Sequence, residues 1–112
     1  TAANLKANRG KWLRFVKAYM EATYYMTVNK SGALDVLKKI IQTDERETLE
    51  HAYEQMRARA TVDLVAPEAA IENLVKMMTY VDKRAAGIDR SKLTDYSIVR
   101  ELIQSNAVPV KK

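Results

Sequence analysis

Hydrophobic and polar positions recur along this chain with the 3.6-residue period of an α-helix, and no stretch has the two-residue alternation of a β-strand. Five segments show the helical pattern, at residues 8–29, 31–42, 43–60, 67–86 and 95–104. We therefore predict an all-α fold, with about five amphipathic helices in a compact bundle. The pattern predicts one helical domain over residues 1–112.

The segment 8–29 is the longest helix of the five and the richest in aromatic residues, so the other helices are expected to pack around it. Asn8 is the predicted N-cap. The predicted buried stripe has the i, i+3, i+4, i+7 spacing and consists of Trp12, Phe15, Val16, Tyr19, Thr23 and Met26, flanked by Leu13, Met20 and Tyr24. Phe15→Ala is accordingly expected to be among the most damaging single substitutions.

The later helices have recognisable start and stop residues. Ser31, Thr43 and either Thr94 or Asp95 are predicted N-caps, Pro67 is the predicted first residue of its helix, and Gly87 is its predicted C-cap. The predicted apolar faces are Ala33, Val36, Leu37, Ile40 and Ile41; Leu49, Ala52, Tyr53 and Met56; Ile71, Leu74, Val75, Met78 and Val81; and Ile98, Val99, Leu102 and Ile103. Ordered structure is expected to end between Ser105 and Pro109.

The formal net charge of +5 raises the question of a nucleic acid or an anionic membrane as partner. Lysine and arginine are, however, spread over every helix and are interleaved with acidic residues at 44–54. This distribution favours a solvated surface of mixed charge over a nucleic-acid interface. A basic nucleic-acid-binding bundle stays open as a third alternative to the two functions considered below.

Candidate catalytic and metal-binding residues are few. The chain has no cysteine, which excludes a disulfide framework, a thiolate nucleophile and cysteine-ligated metals. His51, the only histidine, could offer two metal ligands with Glu47, but a catalytic site needs three, and a surface histidine is the favoured interpretation. The serines have no second histidine as a base, and three isolated glycines form no phosphate loop.

Aromatic residues are the remaining candidates for ligand binding. Trp12, Tyr24, Tyr25 and Tyr80 could stack on a planar ligand, but aromatic residues at helical spacing are more often part of a core. We therefore expect a protein that is not an enzyme, with no catalytic, metal-binding or cofactor-binding residues and no cofactor.

Membrane and targeting signals are not evident. No apolar run approaches the ~18 residues of a membrane span, and the first ten residues, TAANLKANRG, lack the pattern of a signal peptide.

Three stretches together resemble a known family. They are KANRGKWLRFVKAYMEA, the acidic TDERETLEHAYEQ and the closing TDYSIVRELIQSN. They are similar to the C-terminal helical region of periplasmic solute-binding proteins that serve nitrate/sulfonate/taurine-type ABC importers, a family with relatives that bind thiamine-precursor pyrimidines. The shared motifs are structural: an Asn-Arg helix start followed by Phe15, Ala18 and Glu21, a helix started by proline, and Asp-x-Ser-x-Val-x-x-Leu in the closing helix.

The resemblance implies a fragment of a larger protein. A full family member has two α/β lobes, begins with an export signal and closes on a small solute between the lobes. The present helices would follow the return crossover and brace the first lobe, and the rest of the parent protein and, through it, an ABC permease would be their partners. The solute would bind only to the full-length parent. The expected location is periplasmic, or exported and membrane-associated.

An independent helical module for protein interaction or dimerisation is the main alternative. If the helices normally cover a lobe of the parent protein, some apolar surface should be left uncovered in this segment, and we expect it at Leu13, Met20, Tyr24, Val62, Leu64 and Val65. The isolated segment is therefore expected to form a homodimer.

Overall fold

The computed structural model describes residues 1–109, which contain six α-helices, two short 3-10 helices and no β-strand. The all-α prediction is thereby confirmed. The α-helices are α1 (Ala2–Ala7), α2 (Arg9–Val28), α3 (Lys30–Ile41), α4 (Arg46–Arg59), α5 (Glu68–Val81) and α6 (Ser97–Gln104), and the 3-10 helices are Lys83–Gly87 and Arg90–Lys92.

The chain divides into two compact units, each with its own contacts. The first unit consists of residues 1–64 with 98–109, and the second of residues 65–97. The buried hydrophobic residues are concentrated in the first unit, where they form two separate clusters.

The first cluster joins the long helix α2 to the closing helix α6. Its buried members are Met20, Ile98, Val99, Leu102 and Val108, and Leu5, Leu13, Val16, Val62, Leu64, Ile103 and Ala107 pack against them. The predicted inward face of α6 is confirmed at Ile98, Val99 and Leu102, which are fully buried. After α6 ends at Gln104, Val108 still packs into this cluster and is only 3% exposed.

The second cluster joins α3 to α4 and consists of Ala33, Leu37, Leu49 and Tyr53. The Tyr53 hydroxyl donates a hydrogen bond to the Met26 carbonyl across 3.1 Å, which satisfies its one polar atom within the core. The predicted stripe of α4 is correct at Leu49 and Tyr53. The prediction that Val36, Ile40 and Ile41 of α3 and Met56 of α4 are buried is wrong, because all four are exposed.

The predicted inward face of α2 is wrong at Trp12, Phe15 and Tyr19, whereas Val16 and Met26 are half-buried and pack against the two clusters. Phe15 and Tyr19 are 60% and 56% exposed and Trp12 is also exposed, whereas Met20, assigned to the flank, is completely buried. Thr23 is buried as predicted, and its hydroxyl donates to the Tyr19 carbonyl within the helix. The helix is therefore rotated relative to the prediction, because α6 packs on the side of α2 that Leu13, Val16 and Met20 form.

Several helix ends also differ from the prediction. Asn8 makes no side-chain cap to α2, because it is also the C-cap residue of α1, a helix that was not predicted. Asn29 rather than Ser31 caps α3, with its side-chain oxygen accepting from the Gly32 N–H at 2.9 Å. Glu45 occupies the N-cap position of α4, and the Thr43 hydroxyl accepts from its N–H.

The helix predicted at residues 67–86 is interrupted. Pro67 precedes α5 instead of beginning it, and α5 ends at Val81. The Asp82 carboxylate accepts from the Arg84 N–H at 2.9 Å and begins the 3-10 helix that reaches Gly87. No glycine among residues 1–109 has a positive φ, so Gly87 is not a left-handed C-cap. Of the predicted α5 core only Val75 is fully buried, and Leu74, Met78 and Val81 are exposed.

Candidate functional site

The residues with catalytic or metal-binding potential are dispersed over the surface. His51 and Glu47 are both exposed on α4, as the surface interpretation of His51 predicted. Within residues 1–109 no three histidine or acidic side chains lie close enough together to hold a metal ion. The Ser91 hydroxyl donates to Asp89 and the Ser105 hydroxyl donates to the Leu102 carbonyl, so both serve local turns.

The shifted pKa values all belong to surface pairs. Hydrogen bonds from Arg46 hold the pKa of Glu50 below its ordinary value, and those from Arg84 do the same for Asp82. Hydrogen bonds from Ser91 and Lys92 lower the pKa of Asp89, and the Asp44 carboxylate raises the pKa of Lys38. Each shift strengthens the charged form of an exposed group. None has the cause typical of a catalytic acid or base, which is burial in a cleft.

The most prominent surface feature is a row of aromatic side chains on α2, which we call the aromatic strip: Trp12, Phe15 and Tyr19. The rings of Trp12 and Phe15 meet edge to face with centroids 5.9 Å apart, and those of Phe15 and Tyr19 lie 6.5 Å apart. The Trp12 indole N–H donates to the Asn4 side-chain oxygen at 2.9 Å, which holds the ring against α1. The strip is thus an ordered apolar surface on the first unit.

One basic residue borders the strip. At about 100° per residue, Lys11 lies next to Phe15 on the side of the strip that faces away from Met20 and the core. Lys11 also lines a shallow depression with Asn4, Asn8, Trp12 and Phe15. The strip therefore has a core-facing edge and a positively charged edge.

A groove continues the strip toward the end of α2. Its volume is about 540 Å³, and its walls are mostly apolar. Tyr19, Ala22, Thr23 and Met26 line it from α2, Gln55, Met56 and Arg59 line it from α4, and Ala60, Thr61 and Leu64 complete it. Because Ala22 is small and Met26 and Met56 are flexible, this groove can accept a bulky apolar side chain.

A second apolar surface lies on α5, within the second unit. Leu74, Met77, Met78 and Val81 have the i, i+3, i+4, i+7 spacing of a packed helix face, yet all four are exposed. Tyr80 beside them is 91% exposed. α5 therefore has an exposed apolar face.

The surface that the sequence predicted to be uncovered is not the one that the structure leaves uncovered. Met20 is buried, Leu13, Tyr24, Val62 and Leu64 are half-buried, and only Val65 of that group is exposed. The aromatic strip was assigned to the core instead. The available signal was the second apolar series on α2, Leu13, Val16 and Met20, which has the same helical spacing.

No helix within residues 1–109 combines the length and apolar character that crossing a membrane requires. No family model, curated protein or solved structure matches the chain.

Proposed function

We propose that this chain is the C-terminal helical segment of a solute-binding protein for a nitrate/sulfonate/taurine-type ABC importer, in which it braces the lobe that captures a small solute. One observation carries the proposal: two of the three motifs on which the resemblance rests, the Asn-Arg helix start and the closing helix, are in contact. Arg9 of the Asn-Arg helix start forms a salt bridge with Glu101 of the closing helix. Next to it, Val99 and Leu102 pack in the same cluster as Met20 of α2.

Each specified residue of the closing motif either caps α6 or packs in the core. The Asp95 carboxylate accepts from the Ser97 N–H at 2.8 Å and so starts α6. Val99 and Leu102, the two apolar positions of the motif, are both buried. A motif of this kind is expected in a bracing segment, since none of its residues has to face a solute.

The uncovered apolar surfaces also fit a bracing role. The aromatic strip on α2 and the exposed apolar face of α5 each have the apolar character of a helix face that packs on another body. In the proposed parent that body is the first lobe. The parent would close two lobes around the solute in the periplasm and present the closed form to the permease, while this segment supplies rigidity.

The proposal is tested by reading the gene upstream of Thr1 and by expressing the parent. We expect an open frame of some two hundred residues with an export signal, as the resemblance implies. In the full-length parent, Glu101→Gln should lower the thermal midpoint and leave calorimetric affinity for the solute unchanged, because Glu101 contacts Arg9 and not the solute. A start codon directly upstream of Thr1 would rule the proposal out.

An independent interaction or dimerisation module is the second candidate function. The order of the aromatic strip favours it, because the rings of Trp12 and Phe15 are already fixed against each other in this chain alone. A preformed apolar surface loses little conformational entropy on binding. The reading frame upstream of Thr1 separates this candidate from the first.

A further inference from the structure

We propose that the groove between α2 and α4, with its volume of about 540 Å³, is a binding site for a linear alkyl carboxylate, the anion of a medium-chain fatty acid. The proposal does not rest on the solute-binding function, because it concerns a different ligand and every residue that lines the groove belongs to the first unit. Three observations carry it: the size and apolar lining of the groove, its extent along α2, and the polar side chains on its α4 wall.

The groove has the size and lining of a small-molecule site. Such sites have volumes of about 300 to 1,000 Å³ and mainly apolar walls with a few polar groups. Here Ala22 and Ala60 leave space, and Met26 and Met56 are flexible side chains that adapt to an apolar ligand. Among the residues described, those that line the groove include no aspartate or glutamate, so its walls do not repel an anion.

The groove runs along α2, so an extended alkyl chain fits it better than a compact ring. Tyr19 and Met26 mark the two ends of its α2 wall, and the seven-residue step between them corresponds to about 10 Å of helix. The opposite wall is α4, whose Tyr53 hydroxyl donates to the Met26 carbonyl and joins the two helices there. An alkyl chain laid between the helices contacts both walls over this length.

Gln55 and Arg59 give the α4 wall the chemistry of a carboxylate site. They are one turn apart on α4, so their side chains lie on the same side of the helix. Within residues 1–109 neither side chain has an ion pair or a hydrogen bond, whereas Arg57 lies 3.9 Å from Glu54. The Arg59 guanidinium carries paired N–H groups that match the two oxygens of a carboxylate.

The charge of the groove favours a carboxylate over a phosphate. Arg59 is the one charged residue among the described residues that line the groove. Its single positive charge balances a carboxylate, whereas a phosphate monoester would bring a charge of nearly −2. A fatty-acid anion therefore matches the groove in both its chain and its head group.

The first experiment follows the methionine methyl groups by NMR while decanoate is added below its micelle concentration. Met26 and Met56 line the groove, whereas Met77 and Met78 are exposed on α5 and report nonspecific adsorption of the alkyl chain. We expect saturable shifts at Met26 and Met56 with a dissociation constant of about 0.1 to 1 mM, and none at Met77 and Met78. Octanoate should bind about tenfold more weakly, because it lacks two CH₂ groups.

A pair of substitutions on α2 tests the apolar part of the site. Ala22→Leu fills the groove and should abolish the saturable shifts. Ala18→Leu is the matched control, because Ala18 is also exposed and lies one turn earlier on α2, outside the groove. Its affinity for decanoate should equal that of the unchanged chain. Circular dichroism of both variants verifies that the helices are intact.

A pair of substitutions on α4 tests the recognition of the head group. Arg59→Gln should weaken decanoate binding about fivefold, which is within the range of an exposed ion pair. Arg57→Gln removes the same charge from a residue that does not line the groove, and should leave the affinity unchanged. Decanol, which has no charge, should bind equally to the unchanged chain and to Arg59→Gln.

Four results would overturn the proposal: no saturable shift with decanoate, equal shifts at Met77 and Met78, binding that survives Ala22→Leu, or equal decanoate affinities of Arg59→Gln and Arg57→Gln. These outcomes are independent of the solute-binding proposal. The reading frame upstream of Thr1 decides that proposal, and its absence would leave decanoate binding to this chain unaffected.

Discussion

The two units of this chain are built on different principles. All but two of the fully buried hydrophobic residues belong to residues 1–64 and 98–109, where they form two clusters. One cluster joins α2 to α6, which are distant in sequence, and the other joins the neighbouring helices α3 and α4. In residues 65–97 only Val75 and Ala85 are buried. The second unit also has polar contacts between its segments. The Ala66 N–H donates to the Tyr96 hydroxyl at 3.1 Å, and Arg90 lies 3.6 Å from Glu72.

This difference indicates which of the two units is the more stable. The first unit is stabilised by burial of apolar surface, which contributes most to folding free energy. The second unit has too few buried side chains to be cooperative on the same scale, and its long helix exposes its apolar face. We therefore expect the two units to lose structure at different free energies.

The largest effect is expected for Met20→Ala in the first unit. Met20 is completely buried among α6 residues, and such substitutions typically cost about 2–5 kcal/mol. Met77→Ala on the exposed face of α5 is the control and should change stability by less than about 0.5 kcal/mol. Urea denaturation of both variants measures the contrast, and equal midpoints would contradict the assignment of the core.

Val75→Ala should have the next largest effect, confined to the second unit. Loss of its buried side chain should cost about 2 kcal/mol of local stability. Amide hydrogen exchange should accelerate in α5 and remain unchanged for Tyr53 and its neighbours. If exchange accelerated equally in both units, they would unfold together and the comparison would fail.

Tyr96→Phe tests the polar contact that closes the second unit. The variant keeps the ring and removes the acceptor for the Ala66 N–H, at a cost of about 1 kcal/mol. Exchange of the Ala66 amide should accelerate more than that of any α6 amide. Tyr80→Phe removes the hydroxyl of a nearly fully exposed residue and should leave the exchange of the Ala66 amide unchanged.

The smallest effect is a pH dependence at the start of the 3-10 helix Lys83–Gly87. Because Arg84 lowers the pKa of folded Asp82, the cap is fully effective above the ordinary aspartate pKa and is lost as the pH falls through the lowered folded value. Amide chemical shifts of residues 83–87 should follow this acid titration. Asp82→Asn should abolish it, and a titration that persists would assign it to another group.

Periodicity predicted the helices well and the orientation of one helix badly. The positions of α3, α4 and α6 follow from their apolar spacing, because this local signal acts within a few residues. The caps of α3 and α4 are Asn29 and Glu45 rather than the predicted Ser31 and Thr43. On α2, two apolar series have helical spacing, one with Trp12 and Phe15 and one with Leu13 and Met20. Which one is buried depends on the shape of the closing helix, which α2 contacts only after the chain has folded.

At the end of α5 the sequence contains two competing signals, and the prediction followed the wrong one. The apolar period continues to Val81, and the glycine at 87 suggested that the helix continues to that point. Asp82 was the competing signal, because a short carboxylate can cap a new turn. The solute, the permease and the dimer have no such local signals in the sequence, and they stay predictions.

The first cluster also has a consequence for the order of folding. It contains Leu64 and Ile98, so the polypeptide leaves it before residues 65–97 and returns to it afterwards. Closing so long a loop costs entropy before any contact with α6 is gained. The buried members of the second cluster come from the neighbouring helices α3 and α4, and Met26 of α2 packs against them. During synthesis on the ribosome, we therefore expect the α3–α4 pair to form early and α2 to wait for α6, with the docking of α6 as the slow step.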